Sequence, residues 1–311
     1  MLTPALECEG LTKRYGSLLA VDDLKHMVGR GEAYGLLGPN GSGKSTTISM
    51  IVGVLAPDSG TVRIHDHPLA SEPRQAKSLL GYVPQEVALY PDLTGRENLR
   101  YFGRLYGLRG AKLKSRITEL LDMVGLTDRA DQLLGTYSGG MQRRINIAAG
   151  LVHEPAVLIL DEPTVGVDPQ SRNAILESVE HLVSGGMTVL YTSHYMEEVE
   201  RVCDRVGIID HGRVIAEGTP RELVASLGSG SRFEMEVEGG AQAAADALTA
   251  LPGITVTVRG SRLAVVSEKG AARLADLLPA LDGVVTVVRT ETVRPSLEEV
   301  FLHLTGTSLR D

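Results

Sequence analysis

Two stretches of this chain could each hold an anion. GPNGSGKST at residues 38–46 fits the pattern G-x-x-x-x-G-K-[ST], and TYSGGMQRR at residues 136–144 opens a helical pattern with a hydroxyl and two glycines. In the first, Gly38, Gly41 and Gly43 let backbone amides turn toward phosphate oxygens with no Cβ in the way. Pro39, Asn40, Ser42 and Thr46 complete the loop. Lys44 adds a point charge worth roughly 4 kcal/mol per contact at an effective dielectric of 20 and about 4 Å, and the Ser45 hydroxyl suits a magnesium ion. In the second, Ser138 and the amides of Gly139 and Gly140 at a helix start would form another phosphate cradle. The residues alone do not say why one polypeptide needs two.

A second metal ligand belongs at the end of a neighbouring buried strand, where ligands of α/β sheets bind. VLILDEP at residues 157–163 supplies Asp161 there, followed by Glu162 to polarise an attacking water. A positioned base is commonly worth ~10² to 10⁴ in rate. Without the upstream loop, the same Asp-Glu pair would read as a solvated turn.

The elements that must position these groups follow from local pattern. EAYGLL before the glycine loop reads as a strand and TTISMIVGVL after it as a helix. Short apolar strands alternate with helical stretches up to about residue 227, which predicts an α/β domain with a largely parallel sheet. LGSGS at 227–231 reads as a linker, placing a first domain at 1–227, a linker at 228–231 and a second domain at 232–311. In that second domain Phe233, Met235 and Val237 alternate with Glu234, Glu236 and Glu238 as in a half-buried strand. A helix near 241–250 and strands at Ile254–Val258 and Leu263–Val266 follow. A helix with Leu274, Leu277, Leu278 and Leu281 on one face then leads to the strand GVVTVV. The order β-α-β-β-α-β is that of a small α+β, ferredoxin-like unit. A last helix starts at Ser296, which with Glu299 spells a capping box, and carries Leu297, Val300, Phe301 and Leu304 on its apolar stripe. Such a unit suits regulation or dimerisation, and ligand sensing stays open beside it.

A chain of 311 residues with 43% hydrophobic composition can bury a sizeable core, and its length favours two domains. A formal charge of −8 leaves no basic excess to track a nucleic acid, so none is expected as partner. Cys8 and Cys203, far apart and in apolar settings, suggest neither a disulfide framework nor a zinc site. The N-terminal residues have no secretion signal and no apolar stretch reaches the ~20 residues that span a bilayer, so the chain is expected in the cytoplasm.

Taken in order, residues 5 to about 225 resemble the nucleotide-binding subunits of ATP-binding cassette (ABC) transporters. The resemblance implies an α/β P-loop NTPase cassette with a helical subdomain at about 86–150, ATP and Mg2+ as cofactors, and an answer to the doubled cradle. YSGGMQRR is similar to the family signature, which closes over the γ-phosphate held by the P-loop of a second cassette, here another copy of this chain. Gln142, within the signature, is implied to reach the nucleotide. Tyr15 in TKRYG resembles the aromatic that stacks on adenine, and ordinary packing stays open for it. Gln85 in GYVPQE resembles the glutamine that meets the magnesium and the attacking water, Asp168 in VGVDP the loop that touches the opposite cassette, and His194 in YTSHYMEEVE the histidine that contacts the γ-phosphate. Tyr137 stands where leucine is usual and Val165 where a polar residue is common, both near the presumed dimer surface.

Tyr82, Tyr90, Tyr101, Phe102 and Tyr106 are five of the twelve Tyr and Phe residues. The family's helical subdomain grips a cytoplasmic helix of the membrane subunit, so these side chains serve either that interface or the subdomain's own core. LYPDLTGRENL and the ending RPSLEEVFLHLTG resemble bacterial exporters of drugs, antibiotics, lipids or polysaccharides, and the small α+β extension differs from the β-rich domain of sugar importers. The resemblance therefore implies an ATP hydrolase on the cytoplasmic face of the cell membrane, serving a separate permease in export rather than import. A soluble cassette ATPase acting on ribosomes or DNA would share the motifs, but its second cassette, coiled-coil insertion or zinc module is missing from the sequence. An ordinary P-loop kinase or GTPase would leave YSGGMQRR, Gln85 and His194 without a role.

Overall fold

The computed structural model describes residues 4–226, 231–267, 272–293 and 296–306. By its contacts the chain divides into two compact units, Met1–Pro220 with Thr305–Asp311, and Arg221–Leu304. That division falls ahead of the stretch read as a linker. Residues 228–230 lie outside the described residues, and Ser231 is the first residue of a strand.

In the first unit, β1 (Leu6–Tyr15), β2 (Leu18–Val28), β3 (Ala33–Leu37), α1 (Lys44–Ile51), β4 (Ser59–Ile64), β5 (His67–Pro68), α2 (Pro73–Ser78) and β6 (Leu80–Val83) come first. α3 (Gly95–Leu105), α4 (Gly110–Met123) and α5 (Gly139–Leu151) form a helical stretch, after which β7 (Val157–Asp161), α6 (Pro169–Ser184), β8 (Thr188–Thr192), α7 (Met196–Val202), β9 (Arg205–Asp210) and β10 (Arg213–Gly218) complete the unit's elements.

AYGLL and TVLYT are buried at every position, as continuous apolar runs must be when a strand is covered on both faces. They lie side by side in a sheet of order β10-β9-β3-β8-β7-β6, in which only β10 runs antiparallel to its neighbour. Parallel strands end on the same edge. β3, β8, β7 and β6 therefore deliver the glycine loop, His194, the Asp161–Glu162 pair and Gln85 to one rim, in that lateral order. A second, antiparallel sheet of order β2-β1-β4-β5 shares one apolar core with α1, joining Leu6, Leu11, Leu24 and Ile64 to Ile48, Ile51 and Leu36. This sheet was not foreseen from the alternating texture of the sequence.

The Arg221–Leu304 unit has a sheet of order β12-β13-β11-β14 with every neighbouring pair antiparallel: β11 (Ser231–Glu238), β12 (Ile254–Arg259), β13 (Arg262–Ser267) and β14 (Thr286–Val293). Its helices are α8 (Pro220–Ser226), which starts one residue ahead of the division, α9 (Ala241–Thr249), α10 (Leu274–Leu281) and α11 (Leu297–Thr305). Phe233, Met235 and Val237 are buried with Leu248, Leu263 and Leu277, as the period-two pattern requires. Leu278 instead is exposed, because it sits about 100° round the helix from Leu277, off the stripe shared by Leu277 and Leu281. The strand read at GVVTVV starts later, at Thr286, since Gly283 takes φ +74° in a turn. Ser296 Oγ accepts from Glu299 N at 3.4 Å, but the Glu299 carboxylate pairs with Arg232.

Candidate nucleotide site

The glycine loop is built so that only glycine fits. A Cβ on Gly38 would lie 2.4 Å from both Ile209 O and Ser42 Oγ, and one on Gly43, at φ +104°, would lie 2.4 Å from Ala20 O. The loop delivers Lys44 to the first turn of α1, where it is 8% exposed and its Nζ donates to Gly38 O and, at 3.0 Å, to Pro39 O. Burial pulls its pKa down, while Glu162 and Asp161 push it back up. A buried ammonium holding only neutral carbonyls is poised for a stronger anionic partner. Ser45, next on α1, is exposed.

Across the rim, Thr192 ties the acidic pair together. Its Oγ1 donates to Asp161 Oδ1 at 2.8 Å and accepts from Glu162 N at 2.9 Å. Glu162 stands at φ +45°, a left-handed conformation that costs a non-glycine residue on the order of 1 kcal/mol and must be held by its surroundings. In that pose its Oε2 accepts from Gln85 Nε2 at 3.3 Å and lies 3.4 Å from His194 Nδ1. Three residues from three strand ends thus meet on one carboxylate oxygen. Beside them, burial and then Asp161 raise the Tyr82 hydroxyl to about 12, leaving it a donor.

Sequence reasoning missed Glu198, which is 1% exposed beneath this rim. Its carboxylate accepts from Thr164 Oγ1 at 2.7 Å, Tyr191 Oη at 2.9 Å, Ser193 Oγ at 2.7 Å and Arg172 Nε at 2.5 Å. Arg172 also lies 3.9 Å over the Tyr195 ring. One buried charge therefore pins the segments on either side of His194 and the loop that follows Glu162. The only sequence signal was an acidic residue on the apolar side of a short helix.

TYSGGMQRR sits elsewhere in the fold. Ser138 caps α5, its side chain accepting from Met141 N at 3.3 Å, and Gly139 and Gly140 form the first turn. A Cβ on Gly140 would lie 2.2 Å from Ser171 Oγ, so the start of α5 lies directly on the start of α6. Asp168 caps α6, accepting from Ser171 N at 3.1 Å, and the Ser171 hydroxyl and amide hold its carboxyl below the usual range. Gln142 Nε2 reaches its own loop, donating to Leu134 O and Tyr137 O at 3.3 Å each. No hydrogen bond among the described residues joins TYSGGMQRR to GPNGSGKST.

Tyr137 corrects an expectation. It is 6% exposed, its hydroxyl donates to Arg129 O at 2.5 Å, and it faces inward against Gly95 rather than out toward a second molecule. Val165 is half-buried.

A second unforeseen residue, Arg143, links the two regions. It projects from α5, 5% exposed, and donates to Pro84 O at 2.8 Å and to Gln85 O. A shift of α5 is therefore transmitted to the residue beside Glu162. Arg143→Ala is expected to cut ATP turnover roughly tenfold, about 1.4 kcal/mol of barrier, with ATP affinity near wild type, as read by steady-state hydrolysis and equilibrium binding.

Tyr15 is 50% exposed at the end of β1, open to a planar ligand rather than packed in the core. Tyr90, Tyr101 and Tyr106 are 46%, 40% and 48% exposed, so these side chains belong to the surface. Tyr106 stacks on His153 at 3.7 Å, and with Phe102, Tyr82 and Leu89 it lines a groove of about 250 Å³.

The family profile described as "ABC transporter" matches residues 21–165. The chain is similar to the linearmycin resistance ATP-binding protein LnrL of Bacillus subtilis (strain 168), 47% identical over 98% of this chain and 100% of that protein. The daunorubicin/doxorubicin resistance ATP-binding protein DrrA of Streptomyces peucetius is 50% identical over 73% of this chain and 69% of its own length. Among solved structures, the dimeric post-hydrolysis state of the ATP-binding cassette MJ0796, bound to ADP and Pi, aligns with TM-score 0.63 at 27% identity, covering 69% of this chain and 98% of that one.

Proposed function

The chain belongs to the ABC transporter family of ATP-binding subunits, and we propose that it is the ATP hydrolase that energises export of a drug-, antibiotic- or lipid-like molecule through a separate transmembrane permease. The observation that carries this reading is the meeting of Gln85 and His194 on the Glu162 carboxylate, on the rim that also carries Lys44. Glu162 orients and polarises the attacking water, Gln85 positions it, and His194 steadies Glu162 and donates toward the γ-phosphate. Gly38–Thr46 wraps the triphosphate and Tyr15 stacks on the base. A bound Mg2+ would be held by Ser45, Asp161 and Gln85 and would neutralise phosphate charge. These donors are few and hard, and among the described residues no group of three or more His, Cys, Asp or Glu side chains is placed to hold a metal alone, which suits an ion that takes most of its ligands from the nucleotide and water.

Ser138, Gly139, Gly140 and Asp168 complete the site of a second copy. The free start of α5, packed on the start of α6 and unconnected to the chain's own loop, supports that division. The aromatic groove of Tyr82, Phe102 and Tyr106 supports our reading that a helix of the permease seats there, with the chain at the cytoplasmic face of the membrane. No helix among the described residues is long and apolar enough to cross a membrane. We read 1–227 as the cassette, with the helical subdomain at about 86–150, 228–231 as linker, and 232–311 as a regulatory or dimerising domain. Its strand order and antiparallel pairing support a ferredoxin-like unit.

Lys44→Ala is expected to abolish retention of ATP, measured by equilibrium dialysis. A tagged pull-down from detergent-solubilised membranes tests the whole reading. A multi-span protein recovered in fixed ratio is the expected result, and ribosomal or DNA-associated proteins from the soluble fraction alone would overturn it.

A further inference from the structure

On the side of α3 that faces α4, a cleft of about 620 Å³ is lined by Arg96, Arg100, Arg104, Arg109 and Lys114. Its apolar floor is Leu113 and Ile117, which are 5% and 3% exposed. Arg96, Arg100 and Arg104 recur every four residues, so they form one row along the helix with a step of about 6 Å. Arg96 grips Asp131 through Nε at 2.8 Å and Nη2 at 3.2 Å, and Arg100 stands near enough to the Asp131 and Glu97 carboxylates to stabilise their charged forms, so two carboxylates offset part of a five-cation cluster. Among the described residues Arg100, Arg104, Arg109 and Lys114 make no salt bridge, although the chain as a whole carries −8. Tight clustering of like charges opposes folding unless something anionic offsets it.

The apolar neighbours say which kind of anion. On the adjoining stripe of α3, Tyr101 is 40% and Leu105 64% exposed. A row of arginines flanked by exposed Tyr and Leu is the composition of a helix lying at a bilayer interface, with cations at headgroup phosphates and the apolar side chains at the acyl boundary. An acidic protein segment would need the cations but not the adjoining apolar strip. Arginine further suits phosphate because its planar fork donates two parallel bonds.

We propose that the α3–α4 cleft binds the headgroups of anionic phospholipids and lays this face of the helical subdomain on the membrane surface. Arg100, Arg104, Arg109 and Lys114 take the phosphates, Arg96 is shared with Asp131, and Tyr101 and Leu105 enter the interface. α3 then has two occupied faces, with lipid on the arginine row and the permease on the aromatic groove. The contact holds in the absence of any permease, so its failure is separable from failure of the transport reading.

The test uses the full chain, purified alone, in sedimentation with vesicles of phosphatidylcholine and of phosphatidylcholine with 30% phosphatidylglycerol at low salt. Wild type is expected to sediment only with the anionic vesicles and to be released as salt is raised past the point where the screening length falls below ~10 Å. Each cation near such a surface contributes about fivefold in partitioning, so Arg100→Gln/Arg104→Gln/Lys114→Gln is expected to lose on the order of a hundredfold. Unchanged ATP binding by that variant shows that it is folded. Equal binding of wild type to both vesicles, no binding to either, or wild-type partitioning by the triple variant would overturn the proposal. So would capture of a soluble poly-glutamate peptide by wild type without vesicle binding, which would assign the cleft to a protein partner.

Discussion

Glu162→Gln is expected to lower ATP turnover by ~10² to 10⁴ while leaving ATP bound. The amide keeps the shape of the side chain but cannot take a proton, and the wild-type carboxylate is the one group on which Gln85 and His194 converge. Lys44 and the glycine loop, which do the holding, are untouched by the change. Stopped-flow or single-turnover hydrolysis measures the loss, and equilibrium binding of ATP measures what is retained. A variant that turned over within tenfold of wild type would place the water-activating group elsewhere, and a variant that no longer bound ATP would make Glu162 part of the binding shell.

Glu198→Ala is expected to destabilise the first unit by about 3 kcal/mol, because it leaves three hydroxyl donors inside the fold without their acceptor and takes the partner from the half-buried Arg172 guanidinium. For a unit of this size that corresponds to a fall in melting temperature on the order of 10 °C. Glu198→Gln keeps one acceptor oxygen and much of the volume, so its loss should be smaller. The activity readout is distinct from the stability readout. At a temperature where the variant is folded, turnover should fall with ATP affinity nearly kept, since Ser193 and Thr164 anchor the segments beside His194 and Glu162 rather than the glycine loop. Scanning calorimetry and steady-state hydrolysis below the transition separate the two.

The legible part of this molecule was its rim. VLILDEP, GYVPQE and TVLYTSH each pair a buried strand with a polar residue at its end, EAYGLL delivers GPNGSGKST in the same way, and the parallel sheet puts those ends side by side. The period-two strand at Phe233–Val237 was equally plain, because half-burial writes itself into alternation. Glu198 and Arg143 were not legible: Glu198 is a charged residue on a short helix whose local neighbours look ordinary, and Arg143, though inside TYSGGMQRR, carries no local sign that it reaches outside that stretch. Their partners are 34 residues away at Thr164 and 58 residues away at Gln85, and only the fold brings them close. Tyr137 was misplaced for a related reason: its motif neighbours Ser138 and Gly139 face outward at a helix start, while its own ring fills a pocket left by Gly95. β14 ran past the apolar GVVTVV into Arg289–Val293, where pairing with β11 rather than side-chain pattern sets its length.

The central claim is that TYSGGMQRR of one chain completes the site that GPNGSGKST of another begins. Light scattering of Glu162→Gln, which should hold ATP without consuming it, tests this most directly. In saturating MgATP the particle should have twice the mass of the 33.2 kDa chain, and Ser138→Arg placed in the same background should return it to its mass without nucleotide. If Glu162→Gln bound ATP and its mass did not change on nucleotide addition, or if Ser138→Arg left the nucleotide-dependent doubling intact, the second cradle would not serve a partner's nucleotide.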